Sequence, residues 1–252
     1  PTRRSSDLQF RLSAPAAALE YESICRELGP RVRVKPVSAL EATLSWQQPD
    51  RLLAGVSGVI LGGSGDFDFD GNRCSDDPIC AESRLLLERL SPSVSYLLTT
   101  ALPLLGICYG HQLLGAYHGV TVHHDAVQQK MRTHTVTLTP EGQTHPLFCD
   151  LPPTFAAQYG HKDVLAAVPD GAVLAATGGE ECLVSAICYS EVAASVQFHP
   201  ELSLADLEKR VAAVPGYLPD GVCVADIYTE APDAHRLLRH FALLVSTAKQ
   251  PL

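Results

Sequence analysis

Three short stretches carry side chains whose types and spacing could do chemistry together. In Gly106-Ile107-Cys108-Tyr109-Gly110-His111-Gln112, a cysteine stands where an apolar run ends and a helical pattern begins. The first amides of a helix lack carbonyl partners, and the positive end of its dipole favours thiolate over thiol. Gly106 and Gly110 permit a sharp turn of the kind that presents a nucleophile between strand and helix. In Val196-Gln197-Phe198-His199-Pro200-Glu201, a β-pattern delivers a histidine to a strand end, where Pro200 stops further ladder pairing. Side chains two apart in extended chain point the same way, so Glu201 can accept from one ring nitrogen of His199 while the other takes a thiol proton. In Leu61-Gly62-Gly63-Ser64-Gly65-Asp66, the lysine of a phosphate loop is missing and Asp68 stands where a dinucleotide fingerprint needs a third glycine. The better use of this loop is to aim backbone amides at an oxyanion beside Cys108. Each stretch has a plainer reading when taken alone, Cys108 as a buried structural thiol and His-Pro-Glu as a surface turn. Cys108 and His199 lie 91 residues apart, so only the fold can bring them together.

The elements that would position these residues alternate between short apolar runs and longer helical ones, the signature of an α/β protein with a largely parallel sheet. Helices are expected over residues 14–28, with Ser13 as N-cap and Gly29-Pro30 as stop, and over 81–98, where Pro92 is a potential break. Another follows Cys108 to about 118, and an amphipathic one spans 231–248, with Leu237, Phe241, Leu244 and Val245 on one face. Strands are expected over 31–37, 58–61 and 102–107, then over 132–139, 154–158, 172–176, 183–189 and 192–198. Residues 211–230, with Pro215, Gly216, Pro219 and Gly221, read as turns. The opening PTRRSSDL has no apolar period and resembles a translated sequencing adapter. Residues 1–8 are therefore set apart as non-native and 9–252 taken as a single domain with a C-terminal helical extension, part of a first strand being lost upstream of Gln9-Phe10-Arg11.

Composition narrows the function. The chain has 252 residues, 46% of them hydrophobic, enough for a substantial core. With 28 acidic against 19 basic residues its formal charge is −9, which disfavours nucleic acid or an anionic membrane surface as partner. No apolar run approaches the roughly 20 residues that span a bilayer, and no secretory core opens the chain, so the expected location is cytoplasmic. The eight cysteines never fall in Cys-x-x-Cys spacing, and most are expected to be reduced and buried. Asp66, Asp68, Asp70 and Asp77 imitate a Ca²⁺ loop, but the helix before it is missing and a solvated acidic loop is the preferred account. His123-His124-Asp125 reads as a solvent-facing turn rather than a metal site.

Taken together, GICYGHQLLGAYHGV, VQFHPE and LGGSGDF resemble the nucleophile elbow, the His/Glu segment and the oxyanion loop of the class I glutamine amidotransferases. The resemblance covers roughly residues 9–201. It is strongest to the stand-alone, GMP-synthase-like subgroup, with which Leu8-Gln9-Phe10-Arg11, Gly160-His161-Lys162-Asp163 and Leu237-Leu238-Arg239-His240-Phe241 also agree. It implies a flavodoxin-like open, mostly parallel sheet with helices on both faces. It implies Cys108 as nucleophile on the glutamine side-chain carbonyl, His199 as proton shuttle and Glu201 as its orienting carboxylate. Gly63 and Tyr109 would supply oxyanion amides, each worth about 2.7–4 kcal/mol in comparable sites, and Gln112 and His161 would contact substrate. No metal or cofactor is implied. The chain lacks the Ser-Gly-Gly-x-Asp-Ser nucleotide loop of the two-part synthetases, so ammonia would pass to a separate synthase subunit. The alternatives are a γ-glutamyl hydrolase or peptidase acting on a small conjugate, and a catalytically idle regulatory partner.

Overall fold

The computed structural model describes residues 3–74, 76–214, 217–219 and 221–248. Among these, eleven strands and eight α-helices follow one another along the chain. The first half contains β1 (Arg3–Gln9), α1 (Ala14–Leu28), β2 (Val32–Ser38), α2 (Pro49–Leu52), β3 (Val59–Leu61), α3 (Pro78–Thr99), β4 (Leu104–Ile107), α4 (Tyr109–Tyr117) and β5 (Val122–His124). The second contains β6 (Lys130–Leu138), α5 (Pro140–Thr144), β7 (Thr154–His161), β8 (Asp163–Leu165), β9 (Val173–Thr177), β10 (Ala186–Ser190), β11 (Ala193–Val196), α6 (Leu204–Ala213), α7 (Val224–Ile227) and α8 (Arg236–Thr247).

Nine strands form one sheet in the order β2-β1-β3-β4-β11-β10-β9-β6-β7. The run from β2 to β11 is parallel, and from β11 outward each pairing is antiparallel. β5 and β8 make a separate antiparallel pair. Side chains on a strand alternate between faces, and β3, β4 and β11 carry apolar residues on both. Ile60, Leu105, Ile107 and Val196 pack with Ile24 and Leu28 of α1 and Leu237 and Phe241 of α8. Val59, Leu61 and Leu104 pack with Leu86, Leu90 and Val94 of α3 and Leu113 and Leu114 of α4. Two helical layers thus sandwich the sheet, the doubly wound α/β arrangement expected from the sequence.

Several expectations shift in detail. α3 runs unbroken through Pro92, because Leu90, Val94 and Leu97 on either side of it are locked into the core. α8 begins at Arg236 rather than 231, and α6 and α7 occupy stretches without an assigned element or read as turns. Ser13 sits at the N-cap of α1 but makes no capping hydrogen bond. His123 and His124 lie in β5, paired to β8, instead of in a solvent-facing turn. Of the eight cysteines, all free, Cys80, Cys108, Cys182 and Cys188 are buried, while Cys74, Cys149 and Cys223 are exposed. Residues 3–8, set apart on the sequence, form most of β1 and lie inside the sheet between β2 and β3. Parallel strands covered on both faces are normally apolar; β1 instead buries Ser5, Ser6 and Asp7. No helix among the described residues is long and apolar enough to cross a membrane.

Candidate active site

β4 is buried throughout and ends one residue before Cys108, whose backbone takes φ 51°, ψ −98°. This is positive-φ backbone that a side chain rarely adopts, and it lifts the thiol out of the strand at the mouth of α4. Two backbone hydrogen bonds lock the elbow. Cys108 N–H donates to Val196 O at 2.8 Å, tying it to β11, and Gly110 N–H donates to Gly62 O at 3.1 Å, tying α4 to the glycine loop. A Cβ on Gly110 would lie 2.2 Å from Leu61 O, so only glycine lets the helix approach the sheet this closely. The Tyr109 ring packs on Phe10 and Phe69, with centroids 5.0 and 5.4 Å away, anchoring the first turn of α4.

β11 leads to His199, whose N–H donates to Gln158 O of β7 at 2.8 Å, so the antiparallel half of the sheet fixes the histidine. Glu201 Oε1 accepts from His199 Nδ1 at 2.8 Å, with the two side chains 5% and 2% exposed. Arg26 of α1 donates to Glu201 O at 3.0 Å and grips Asp206 of α6 with two further bonds. Arg210 of α6 comes within 3.4 Å of the same Glu201 Oε1. Burial disfavours the charged forms of both partners, but each outweighs that penalty for the other. Against the opposing effect of burial, the imidazole is pushed up to about 10, chiefly by the charge of Glu201 and to a smaller extent by the neighbouring Cys108. The Glu201 carboxyl is pulled down to about 2 by His199 and, to a smaller extent, Arg210.

The sulfur, the imidazole and the glycine loop meet around one point. A Cβ on Gly63 would lie 3.0 Å from His199 Cε1 and 3.7 Å from Cys108 Cβ. Gly63 N–H makes no backbone hydrogen bond among the described residues, and Tyr109 opens a helix, where amides lack carbonyl partners. The structure therefore brings Cys108, His199, Glu201, Gly63 and Tyr109 together. Gln112 and His161 line the same cleft, of about 510 Å³. Gln112 Nε2 donates to Asp163 O at 2.8 Å, and His161 Nδ1 lies 3.1 Å from that carbonyl. Burial pushes the His161 imidazole down to about 3, so it faces the cleft uncharged.

Four contributors are not evident from the sequence. Gln197 Nε2 donates to Cys108 Sγ at 3.6 Å, and Gly160 O accepts from the thiol at 3.7 Å. Arg210 belongs to no local motif of its own, although Ser203 and Asp206 form a capping box that announces α6. Asp163 is the fourth. Its carboxylate accepts from the backbone N–H groups of Phe69, Asp70 and Gly71 at 2.7–3.0 Å. The acidic loop is thus strapped to β8 rather than merely solvated. Its carboxylates are committed too: Asp68 pairs with Arg73, Asp70 accepts from His124 N–H, and Asp77 caps α3. Among the described residues no cluster of His, Cys, Asp or Glu is arranged to hold a metal.

Known proteins share this arrangement of elements. The family model for glutamine amidotransferase class-I matches residues 25–213, spanning the elbow, the glycine loop and the His/Glu segment. The chain belongs to the class-I glutamine amidotransferase family. It is accordingly an amide-hydrolysing enzyme. Among its relatives is a GMP synthase (glutamine-hydrolysing) subunit from Methanopyrus kandleri, 32% identical over 176 residues, covering 68% of this chain and 82% of that protein. The GMP synthase (glutamine-hydrolysing) of Petrotoga mobilis is 29% identical over 152 residues, covering 60% of this chain but only 25% of that longer protein. In fold, this amidotransferase resembles a glutamine amidotransferase from Thermotoga maritima, with a TM-score of 0.72 at 18% identity over 98% of this chain and 100% of the other. One from Methylobacillus flagellatus gives 0.63 at 15% identity over 99% and 96%.

Proposed function

We propose that this amidotransferase hydrolyses the side-chain amide of glutamine through Cys108, His199 and Glu201 and passes the ammonia to a separate synthase subunit. The observation that carries the reading is the convergence of a positive-φ elbow cysteine, a buried His199–Glu201 pair and the glycine loop, whose Gly63 amide has no backbone partner among the described residues, on one cleft. The raised affinity of His199 for a proton suits it to take and hold the proton that Cys108 must give up for attack. The thiolate adds to the glutamine Cδ carbonyl, and the oxygen's new charge is met by the Gly63 and Tyr109 amides. The tetrahedral adduct collapses as His199 gives its proton to the departing nitrogen, leaving ammonia and a γ-glutamyl thioester. Water, deprotonated by the now neutral His199, then adds to the thioester. Glutamate departs, and the thiolate and imidazolium are restored. Gln112 and neutral His161, which line the same cleft, contact the substrate beside Cys108.

Similarity to the Methanopyrus kandleri GMP synthase subunit supports a synthase as the acceptor of ammonia. The cleft volume favours a second reading, hydrolysis of a larger γ-glutamyl conjugate, since about 510 Å³ is more than one amino acid fills. Cys108→Ala tests the chemistry. Ammonia release from glutamine, assayed with and without an added synthase subunit, is expected to fall by at least about 10³-fold, as for loss of a catalytic nucleophile elsewhere, with Tm unchanged. Retained activity would sink the mechanism. Comparing kcat/KM across γ-glutamyl amides decides between the two substrates.

A further inference from the structure

We propose that the outward end of Arg11 is the receptor for the α-carboxylate of the substrate, the feature by which the cleft recognises a γ-glutamyl amino acid. This rests on the amidase reading above and names what selects its substrate. Arg11 follows the C-terminal end of β1, and its side chain is only 10% exposed, yet it lines the cleft with Cys108. One edge of the guanidinium is occupied: Nε donates to Glu20 Oε2 at 2.7 Å, and Nη2 lies 2.5 Å from the same oxygen. Nη1 makes no hydrogen bond to any described residue, which leaves the Nη1/Nη2 end of the fork for a ligand. A carboxylate matches that fork with two parallel bonds.

Its location fits the substrate's free end. Nη2 lies 3.4 Å from where a Cβ on Gly63 would stand, the point that His199 and Cys108 also flank, and Nη1 lies 3.6 Å from the corresponding point on Gly65. Glycines at both places put no side chain at either of these two points beside the guanidinium. The N-terminus of the 15-residue α1 adds to the field from the same wall. Ser13 and Ala16 line the cleft, the Ser13 side chain caps nothing, and the first turn holds no acid. The other Arg and Lys side chains lining the cleft are engaged, Arg210 with Glu201 and Lys162, at 3.8 Å, with Asp68. Asp66 lies beside Arg11 with one oxygen accepting from Leu12 N–H at 3.0 Å and suits the neighbouring α-ammonium. Glu20 holds the guanidinium in place before substrate arrives, so little is lost in ordering it.

The test compares glutamine with 4-aminobutanamide, the same amide and amine without the α-carboxylate. Each is measured by kcat/KM for ammonia release and by its protection of Cys108 from iodoacetamide, read by mass spectrometry, which needs no turnover. The wild-type protein is expected to prefer glutamine by about 10²-fold, the scale of a buried hydrogen-bonded charge pair. In Arg11→Gln that preference falls toward unity, through KM rather than kcat, and Arg11→Lys restores part of it. Because Glu20 is left unpaired by these changes, the double variant Arg11→Met with Glu20→Met removes the pair together and should show the same collapse. A preference that survives in the variants, or an equal loss toward both amides, overturns the assignment while leaving the amidase reading intact. Wild-type protein that hydrolyses neither amide and whose Cys108 neither protects overturns that reading and this assignment together.

Discussion

Two buried carboxyl groups, one at the candidate active site and one in β1, hold their protons in opposite ways. Glu201 has His199 at 2.8 Å and Arg210 at 3.4 Å, and its carboxyl is drawn down to about 2 despite burial. Asp7 of β1 is as deeply buried, but neither of its oxygens has a hydrogen-bond partner among the described residues. Burial pushes its carboxyl well above the ordinary value, and the charge of Glu20 pushes further, against a smaller opposing effect from Gln9. Burial sets the scale of the penalty, and a facing cation decides its sign. The site beyond β4 and β11 can hold a charged pair because each member answers the other. β1, made of RRSSDLQ, buries a carboxyl without a facing cation strong enough to ionise it.

The largest effect expected from perturbing this contrast is on catalysis. Glu201→Gln keeps the shape but removes the charge that holds His199 protonated and oriented, and kcat for ammonia release should fall by about 10²–10⁴-fold, the range seen when a triad carboxylate becomes an amide. An unchanged kcat would mean that His199 needs no carboxylate. The second effect is on stability and has the opposite sign. Asp7→Val replaces an unanswered carboxyl by an apolar side chain of similar size suited to a parallel strand, and chemical denaturation should show a gain of about 1–3 kcal/mol. A loss would mean that Asp7 has a partner in solution.

The smallest effect, and the sharpest discriminator, is the pH dependence of stability. Folding favours the protonated His199 and the ionised Glu201. Their contribution is complete between the ordinary values of 4.5 and 6.5, fades as pH rises toward about 10, and fades as pH falls toward about 2. Asp7 favours folding only while protonated, so its contribution is complete below the ordinary 3.8 and is lost as pH rises toward its raised folded value. The Tm advantage of Asp7→Val should therefore grow with pH above about 4. The Tm deficit of Glu201→Gln should be greatest near pH 5–6 and shrink on both sides. Parallel profiles for the two variants would erase the contrast.

The sequence was informative where function compresses several needs into a few adjacent residues. Gly106 to Gln112 announces the elbow because strand end, glycines and thiol are contiguous, and His199 and Glu201 declare their pairing through a spacing of two. The parallel strands β2, β3, β4 and β11 were legible from apolar runs, with boundaries displaced by one or two residues. What escaped depends on distant parts of the chain. Arg11 and Glu20 are paired by the turn between β1 and α1, and Arg210 reaches Glu201 only because Arg26 and Asp206 dock α6 on α1. Asp163 meets residues more than ninety positions earlier. β1 was legible only at its end, since residues 1–8 have no apolar period and are set apart for resembling an adapter, and only pairing with β2 and β3 places residues 3–8 in the sheet. Pro92 shows the converse, a local helix breaker overridden by core contacts on both sides.

Asp163 ties the outer rim of the cleft to its interior. Its side chain grips three successive amides of the loop at 69–71, and its own carbonyl receives Gln112 and His161. That loop cannot slide outward without either breaking three bonds or pulling on Gln112 and His161, two residues that line the cleft. A body pressing on the acidic rim from outside would thus be felt at the cleft wall that Gln112 and His161 form, through a single residue acting as a hinge pin.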